Sequence, residues 1–475
     1  MKKFADIINL WFVGALVIFA ASGFVAAQPS ESKASGPQGG PKPLLQDIQV
    51  YKGTADNSDN DTPLVKKTSS VAATTTAAVA SAYPVLADIA IPGYSGVLVQ
   101  TLDGKTVIDS GSNYAFNPAS NVKIATAYAV LKTFGPDYRF ATSVYTDGTF
   151  DPTTNTLHGN LYVTGRDPVF SYEHAVSVAN ALNKVGIKNI QGDLIVTDNF
   201  AMNYSSASSR AGQALYASLD ASKRPAAATR AWMSYLTNAG KYGKEQAAPS
   251  VAISGATYVQ PVPSNLTLVF THESAPLREI VKVTLCYSNN FLSERLGDMV
   301  GGPYAVSRIV QLNAGIPTNE FALQSSSGLG INRVTPTAMM KLLRTLRTEL
   351  AKNRMTFVDI MPVAGIDKGT LENRFDTDFS TGSVVGKTGT LGNTDGGVSS
   401  LAGEINTRNG KLLFVIFNQR GNVSRFRSFQ NNYVSVIQGQ FGGAAPMNYK
   451  SVALDVRLAK SRVRYPAANQ TAMND

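Results

Sequence analysis

Residues 382–392, "GSVVGKTGTLG", look at first like a phosphate-binding loop, and the surrounding sequence argues against that interpretation. Such a loop has four residues between its two glycines, then Lys and Ser or Thr, and it leads into a helix. Here three residues separate the glycines, and the chain continues into apolar patterns typical of strands. The stretch therefore presents Lys387-Thr388-Gly389 as a K-T-G motif on a β-strand.

Strand patterns occur early and late in the chain, with helical patterns between them. The K-T-G strand is followed by "VSSLAGEI" and "KLLFVIFNQ", which are joined by a turn containing Asn409-Gly410. Near the start, "GVLVQTLDGKTVIDSG" predicts a hairpin around Asp103-Gly104. Helical patterns lie between, in "NPASNVKIATAYAVLKTF", "PLREIVKVTLCY", "FLSERLGDMV" and "TPTAMMKLLRTLRTEL". This order predicts an α+β fold whose sheet joins distant parts of the chain.

Two further short motifs accompany K-T-G. Ser120-Asn121-Val122-Lys123 is an S-x-x-K at the start of a helix, and Ser288-Asn289-Asn290 is an S-x-N between two helices. An S-x-x-K is expected about twice by chance in a chain of this length, so that motif alone carries little weight. The order and placement of all three motifs together indicate a catalytic site.

The spacing of S-x-x-K has a chemical meaning. Residues i and i+3 share a helix face, so Lys123 can reach the hydroxyl of Ser120. A lysine can activate a serine when desolvation or a nearby cation, such as Lys387, lowers its pKa. Asn117 and Pro118 predict the helix start, which places Ser120 in the first turn, where free N–H groups favour negative charge. The alternative is an exposed Ser/Lys pair on a helix surface.

The N-terminus predicts export. Two lysines precede an apolar stretch over residues 10–21 and the small-residue sequence "VAA" at 25–27, the order of a secretory signal peptide. We predict a signal peptide over 1–27, with an uncleaved membrane anchor as the alternative. Residues 28–81, rich in Ser, Thr, Ala, Gly and Pro, are predicted to be a low-complexity linker. The protein is therefore expected in the periplasm, outside the cell or in the cell wall.

Composition argues against several other classes of protein. The 475 residues carry a net charge of +10 without an arginine-rich run or ribonucleoprotein motif, so no nucleic acid partner is expected. The single cysteine, Cys286, permits no intramolecular disulfide. Because HExxH, paired-Cys and GxSxG motifs are absent from the sequence, no metal, no cofactor and no Ser-His-Asp triad is expected. Membrane contact is expected only through the signal segment or a basic surface.

Several longer stretches resemble one family of penicillin-recognising serine enzymes. They are "FNPASNVKIATA", "PLREIVKVTLCYSNNFLSERL", "SSSGLG", "MPVAGIDKGTLENRF" and "GKTGTLGNTDGGVSSLAG". They resemble the D-alanyl-D-alanine carboxypeptidase/endopeptidase family, the low-molecular-mass class C penicillin-binding proteins. The sequence departs from the family pattern at Asn289, where Asp is common, and after K-T-G, where "LGNTDGGV" is longer than usual.

The resemblance implies a penicillin-binding-protein/β-lactamase-like transpeptidase domain, an antiparallel sheet with helices, that carries an inserted mixed α/β subdomain. We assign the penicillin-binding domain to residues 82–142 and 265–442, the inserted subdomain to 143–264 and a basic polar tail to 443–475. The gap between the first two motifs is longer than a simple β-lactamase has, and it is shorter than the family usually has. One inserted subdomain is therefore expected to be reduced or missing.

The resemblance also implies a role for each catalytic residue. Ser120 attacks the carbonyl between the two terminal D-alanines, and Lys123 accepts its proton. Ser288 helps to pass a proton to the leaving amine. Asn290 orients the substrate amide and Lys123.

The substrate-binding residues implied by the resemblance all belong to the K-T-G strand. Lys387, with the hydroxyls of Thr388 and Thr390, holds the terminal carboxylate. Gly389 lets the substrate backbone approach the strand edge. The backbone N–H groups of Ser120 and Thr390 form the oxyanion hole.

The function implied is that of a serine D-Ala-D-Ala carboxypeptidase, and DD-endopeptidase activity stays open beside it. The expected partners are peptidoglycan peptides and β-lactam antibiotics. A β-lactamase of the same superfamily and a catalytically silent cell-wall-binding protein are the alternatives. Gly328, Gly386 and Asp367 are expected to serve the fold rather than the chemistry.

Overall fold

The computed structural model describes residues 80–81 and 83–467. The predicted signal peptide, most of the predicted linker and residues 468–475 lie outside these described residues. Strands of the described part are β1 (Ala80–Ser81), β2 (Tyr94–Thr101), β3 (Thr106–Ser110), β4 (Ala141–Thr146), β5 (Thr149–Asp151), β6 (Thr156–His158), β7 (Leu161–Gly165), β8 (Asn189–Gln191), β9 (Leu194–Val196), β10 (Ala252–Ile253), β11 (Thr257–Val259), β12 (Thr267–Glu273), β13 (Phe321–Ala322), β14 (Arg333–Val334), β15 (Val384–Leu391), β16 (Val398–Thr407), β17 (Gly410–Gln419) and β18 (Arg462–Arg464).

Helices lie between these strands in the same described part of the chain. The helices are α1 (Pro84–Ala87), α2 (Val122–Phe134), α3 (Tyr172–Lys184), α4 (Ser208–Leu219), α5 (Ala226–Asn238), α6 (Leu277–Tyr287), α7 (Asn290–Met299), α8 (Gly302–Ala314), α9 (Pro336–Lys352), α10 (Val423–Gln440) and α11 (Leu454–Leu458). Within the described part of the chain, no helix combines the length and the apolar character needed to cross a membrane.

A six-stranded antiparallel sheet places the K-T-G strand, β15, at one of its edges. Its order is β1-β3-β2-β17-β16-β15. Successive side chains of a strand point to opposite faces of the sheet, so alternate residues of β17 enter two different cores. One core takes Leu413, Val415 and Phe417, and the other takes Leu412, Phe414 and Ile416. The apolar run of β17 is therefore explained by helices that cover both faces.

Helix α2 is the centre of the helical layer on one face of this sheet. Its residues are buried almost all round, and small side chains such as Ala125 and Ala129 let α6, α7, α8 and α9 pack against it. On the other face, α10 packs on the sheet through Tyr433, Val434 and Ile437. The helix that carries the S-x-x-K motif is thus held on several sides.

The chain from β4 to β12 forms two further sheets, one of which also includes β18 from near the C-terminus. Their orders are β11-β9-β7-β4-β12-β18 and β10-β8-β6-β5, and both mix parallel and antiparallel pairs. Helices α4 and α5 come from an Ala/Ser-rich stretch whose sequence shows no clear pattern. They form because a few large side chains, including Leu215, Leu219, Trp232 and Leu236, become buried.

The predicted domain boundaries lie close to a pair of neighbouring strands. β4 spans the boundary at residue 142, and β12 begins just after residue 265, on the penicillin-binding side of the second boundary. The two strands pair with each other in the same sheet. The mixed sheets of this region agree in character with the predicted insert, and its limits stay a prediction.

Residues 443–467, predicted as part of a basic polar tail, contain α11 and β18. β18 pairs with β12, and Arg462 and Arg464 both form ion pairs with Glu273. Arg457 donates to buried Glu279 at 2.7 Å. These three arginines therefore meet carboxylates from distant elements, which the composition of the segment alone does not reveal.

Candidate active site

Ser120 lies in a 3-10 turn (Ala119–Asn121) that comes directly before α2. The sequence predicted an α-helix that starts earlier, with Asn117 as its cap and Pro118 as its first residue. The difference arises at Ala119, whose φ of 46° is in the left-handed region that residues other than glycine rarely adopt. The Oδ1 atom of Asn117 stabilises the turn by accepting the N–H of Ala119 at 3.1 Å. Backbone strain of this kind costs about 1–3 kcal/mol and is concentrated at functional sites.

The ammonium group of Lys123 contacts Ser120, as the i, i+3 spacing predicted. Its Nζ donates to Ser120 Oγ at 2.9 Å, to Asn290 Oδ1 at 2.7 Å and to the carbonyl of Ser327 at 2.6 Å. Burial lowers the pKa of Lys123 to about 7, although the nearby charge of Glu294 raises it. Burial, rather than Lys387, is thus the main cause of a pKa suited to a general base.

The S-x-N motif occupies the break between α6 and α7. Ser288 ends α6 with a left-handed φ of 55°, and it lines the same cavity as Ser120. Asn289 caps α7 by accepting the N–H of Leu292 at 3.0 Å. Asp and Asn cap helices about equally well, so Asn289 preserves the cap despite the departure from the family pattern. The break also brings Asn290 within reach of Lys123.

The K-T-G strand contributes three predicted residues to the cavity wall and buries the fourth. Thr388, Gly389 and Thr390 line the cavity. Lys387 is not among the lining residues, because it is fully buried and its Nζ donates to the carbonyl of Thr388 at 2.8 Å. Burial, followed by the charge of Lys123, lowers the pKa of Lys387 well below its ordinary value.

Gly389 allows β15 to pack against the turn that carries Ser120. A Cβ atom there would lie 2.1 Å from Ser400 Oγ, 2.7 Å from the Pro118 carbonyl oxygen and 2.9 Å from the Ser120 nitrogen. Gly328, with a φ of +91°, is crowded by the same turn. The sequence assigned Gly389 to close approach of substrate, whereas in the structure the protein's own backbone approaches it. Gly328 serves a turn, as expected.

A cavity of about 670 Å³ lies in front of Ser120. Its walls are mainly polar, and its lining residues are Ser120, Ser288, Asn290, Gly369, Thr370, Asn373, Arg374, Thr388, Gly389, Thr390, Arg427, Ser428 and Asn431. Sequence reasoning missed both arginines. Arg374 lies in the quoted "LENRF" stretch without a motif of its own, and no pattern in α10 distinguishes Arg427 from its exposed neighbours.

Two other residues considered from the sequence serve the fold. Asp367 accepts from Lys282 at 2.6 Å, and both side chains are almost fully buried, which confirms the structural role expected for Asp367. Cys286 is buried, and burial raises the pKa of its thiol to about 12. Cys286 is therefore an inert core residue rather than a nucleophile.

Fold and site together define a penicillin-recognising serine enzyme, with a serine in contact with a buried lysine beside a K-T-G strand. The model of the D-Ala-D-Ala carboxypeptidase 3 (S13) family matches residues 79–247 and 210–435. The chain belongs to this family. The resemblance stated from the motifs is thereby confirmed.

Three relatives illustrate the match. The D-alanyl-D-alanine carboxypeptidase of Actinomadura sp. (strain R39) is 25% identical, covering 70% of this chain and 79% of that protein. The penicillin G-acylated Bd3459 predatory endopeptidase of Bdellovibrio bacteriovorus, solved with immunity protein Bd3460, has a TM-score of 0.64 at 22% identity, covering 76% of this chain and 96% of that one. Penicillin-binding protein 4 (dacB) of Haemophilus influenzae has a TM-score of 0.54 at 19% identity, covering 74% and 96%. These structural likenesses confirm the predicted fold.

Proposed function

We propose that this chain is a serine DD-peptidase that hydrolyses the D-Ala–D-Ala bond of peptidoglycan stem peptides through an acyl-enzyme. One observation carries the proposal: the buried amine of Lys123 contacts both Ser120 and Asn290 beside a cavity walled by the K-T-G strand. Membership of the S13 family and the name of the Actinomadura relative support the substrate class.

Acylation follows from this arrangement. Neutral Lys123 accepts the proton of Ser120 as Oγ attacks the carbonyl carbon of the penultimate D-alanine. The N–H groups of Ser120 and Thr390 stabilise the oxyanion, an effect worth about 3–4 kcal/mol per donor in well-studied hydrolases. The intermediate collapses when the proton passes from Lys123, by way of Ser288, to the nitrogen of the terminal D-alanine. The amide bond breaks and D-alanine leaves, so that the peptide remains attached to Ser120 as an ester. Asn290 keeps Lys123 in position during this step.

Deacylation repeats these steps with water. A water molecule gives its proton to Lys123 and attacks the ester carbonyl, and the alkoxide of Ser120 recovers that proton as the peptide acid leaves. A β-lactam acylates the same serine when its ring opens. Its amine stays attached to the acyl group, so the leaving group remains in the site. The penicillin-acylated state of the Bdellovibrio relative supports this step.

DD-endopeptidase activity requires the same chemistry on a different leaving group. In a peptidoglycan crosslink the leaving amine is part of a side chain of a second stem peptide, on a carbon of D configuration. In the carboxypeptidase reaction it is the amine of free D-alanine. The Bdellovibrio relative is named an endopeptidase, which supports testing crosslinked peptides beside linear ones.

The proposed substrate lies outside the cytoplasm, in agreement with the sequence-based expectation of export. The lysine, apolar and small-residue order of residues 1–27 supports a cleaved signal peptide. N-terminal sequencing of the mature protein tests the cleavage, and an N-terminus retaining residue 1 contradicts it.

Fluorescent penicillin labelling tests the proposed function. We expect stoichiometric labelling of the wild type and none of Ser120→Ala, because that substitution removes the nucleophile. Ser424→Ala, an exposed serine of α10 outside the cavity, is the matched control and should label normally. Slow release of the label together with D-alanine release from peptides supports a DD-peptidase. Fast release indicates a β-lactamase, and absence of wild-type labelling and cleavage indicates a silent wall-binding protein.

A further inference from the structure

Arg374 and Arg427 place two guanidinium groups at one side of the cavity that contains Ser120. Among the described residues, the lining of this cavity contains these two arginines and no carboxylate. Arg427 extends from α10 and its Nη2 donates to Thr390 Oγ1 at 2.9 Å. It therefore lies against the strand residue whose backbone N–H is the proposed oxyanion donor.

Arg374 is held in place by neutral side chains of α10, the helix that carries Arg427. Its Nε and Nη2 donate to Asn431 Oδ1 at 2.9 and 2.7 Å, and Nη2 also donates to Gln430 Oε1 at 3.1 Å. Burial, followed by the like charge of Arg427, lowers the pKa of Arg374 to about 10. Two like charges are thus kept together at a cavity whose described lining residues include no carboxylate to neutralise them, which is the electrostatic character of an anion site.

Lys387, the cation assigned from the sequence, is poorly situated for the same task. Its Nζ is buried and directed at the carbonyl of Thr388, and its residue does not line the cavity. A guanidinium presents a planar set of donors that matches the two oxygens of a carboxylate. The arginines, rather than the lysine, offer an incoming carboxylate accessible charge.

We propose that Arg427 binds the α-carboxylate of the leaving amino acid, and that Arg374 is a positioning residue that keeps the local charge positive. This assignment rests on the proposed function. The leaving residue of a DD-peptidase carries its α-carboxylate on the carbon next to the scissile nitrogen. Arg427 adjoins Thr390, so a carboxylate held by its remaining N–H groups lies on the leaving-group side of the oxyanion hole. The substrate class is therefore a peptide with a free carboxylate on the leaving residue.

A comparison of two substrates tests the assignment. The wild type and Arg427→Gln are assayed with a D-Ala-D-Ala peptide and with the same peptide ending in a C-terminal amide. The loss of one charge-assisted contact corresponds to about a 10- to 100-fold change. We expect kcat/KM for the acid to fall by this factor in Arg427→Gln and kcat/KM for the amide to stay within about twofold. Arg427→Lys, which keeps the charge and loses the planar fork, should be intermediate.

Arg425→Gln is the matched control, since Arg425 is exposed on the same helix and lies outside the cavity lining. It should keep the wild-type ratio of acid to amide cleavage. Labelling by saturating fluorescent penicillin, together with the melting temperature, establishes that each variant is folded with a reactive Ser120. Equal loss on both substrates, or no loss on either, overturns the role of Arg427 while leaving the proposed function in place. A wild type that neither labels nor cleaves overturns both.

Discussion

Lys123 and Lys282 are enclosed to the same degree, with 1% and 0% of each residue exposed, and they differ in what their ammonium groups contact. Lys282, on α6, donates to Asp367 Oδ2 at 2.6 Å and to the carbonyls of Met361 and Val358 at 2.6 and 2.9 Å. Lys123 also has three acceptors, and these are a hydroxyl, an amide oxygen and a carbonyl. One lysine has an anionic partner and the other does not.

This difference explains why one lysine stabilises the fold and the other is suited to catalysis. Burial raises the pKa of Asp367, but Lys282 and several hydrogen bonds lower it further, so the net shift is downward. Asp367 also accepts from Tyr449 and Ser451, which ties the C-terminal segment to α6. Without such a carboxylate, burial brings the pKa of Lys123 to about 7 and makes it a proton acceptor near neutral pH.

The largest expected effect comes from removing the lysine that lacks an anionic partner. In Lys123→Ala the rate of acylation by fluorescent penicillin should fall by about 10²- to 10⁴-fold, because the general base is lost. The melting temperature should change little, since relief of the buried amine's desolvation offsets the loss of its three hydrogen bonds. Stopped-flow acylation and thermal unfolding measure the two effects. Near-normal acylation of a folded variant would show that another group is the base.

Substitution of Lys282, the lysine with an anionic partner, should affect the stability of the fold rather than the rate of acylation. Lys282→Met leaves Asp367 buried without its partner and should lower the free energy of unfolding by about 3–5 kcal/mol. Acylation per folded molecule should stay close to wild type. Lys282→Met combined with Asp367→Asn removes the orphaned charge and should recover part of the loss, as denaturant titration can measure. A stable Lys282→Met variant with impaired acylation would contradict the structural role of this pair.

A smaller effect is expected from the contact that positions Ser120. Gly389→Ala introduces a methyl group that overlaps Ser400 Oγ and the turn before α2. Displacing the nucleophile by about 1 Å is expected to slow acylation by about 10²-fold. Gly392→Ala is the control, because a Cβ at Gly392 has no heavy atom within 4 Å. If both variants acylate equally fast, the packing of β15 on the turn is not what orients Ser120.

The smallest expected effect is a shift in the pH dependence of acylation. Lys123 must be unprotonated to accept the proton of Ser120, so the rate should fall as the pH drops through about 7. Glu294 raises the pKa of Lys123, and its carboxylate accepts the N–H groups of Ser326 and Ser327. Glu294→Gln removes the charge and keeps one acceptor, so the midpoint should move to lower pH. A midpoint that stays in place or rises would exclude this electrostatic coupling.

Much of the fold, and the contact between Ser120 and Lys123 in the site, follow from local sequence patterns. Three groups of elements appear where the patterns predict them: the late strands β15, β16 and β17, the early hairpin, and the helices on either side of S-x-N. The contact between Ser120 and Lys123 follows from the geometry of a helical turn, since residues three apart share a face. The onset of α2 differs from the predicted start, because the left-handed Ala119 depends on contacts from Gly328 and β15 that lie far away in sequence.

The sequence by itself determined the order of the elements, the three motifs and the family, because periodicity and motif spacing are local properties. Only the tertiary structure decided which lysine meets a carboxylate, since Lys282 and Asp367 come from separate segments. It also buried Lys387. It brought Arg374, which precedes β15 in the sequence, and Arg427, which follows β17, to one cavity. Burial and charge pairing depend on which distant surfaces pack together, so the roles of these cations could be assigned only from the packed structure.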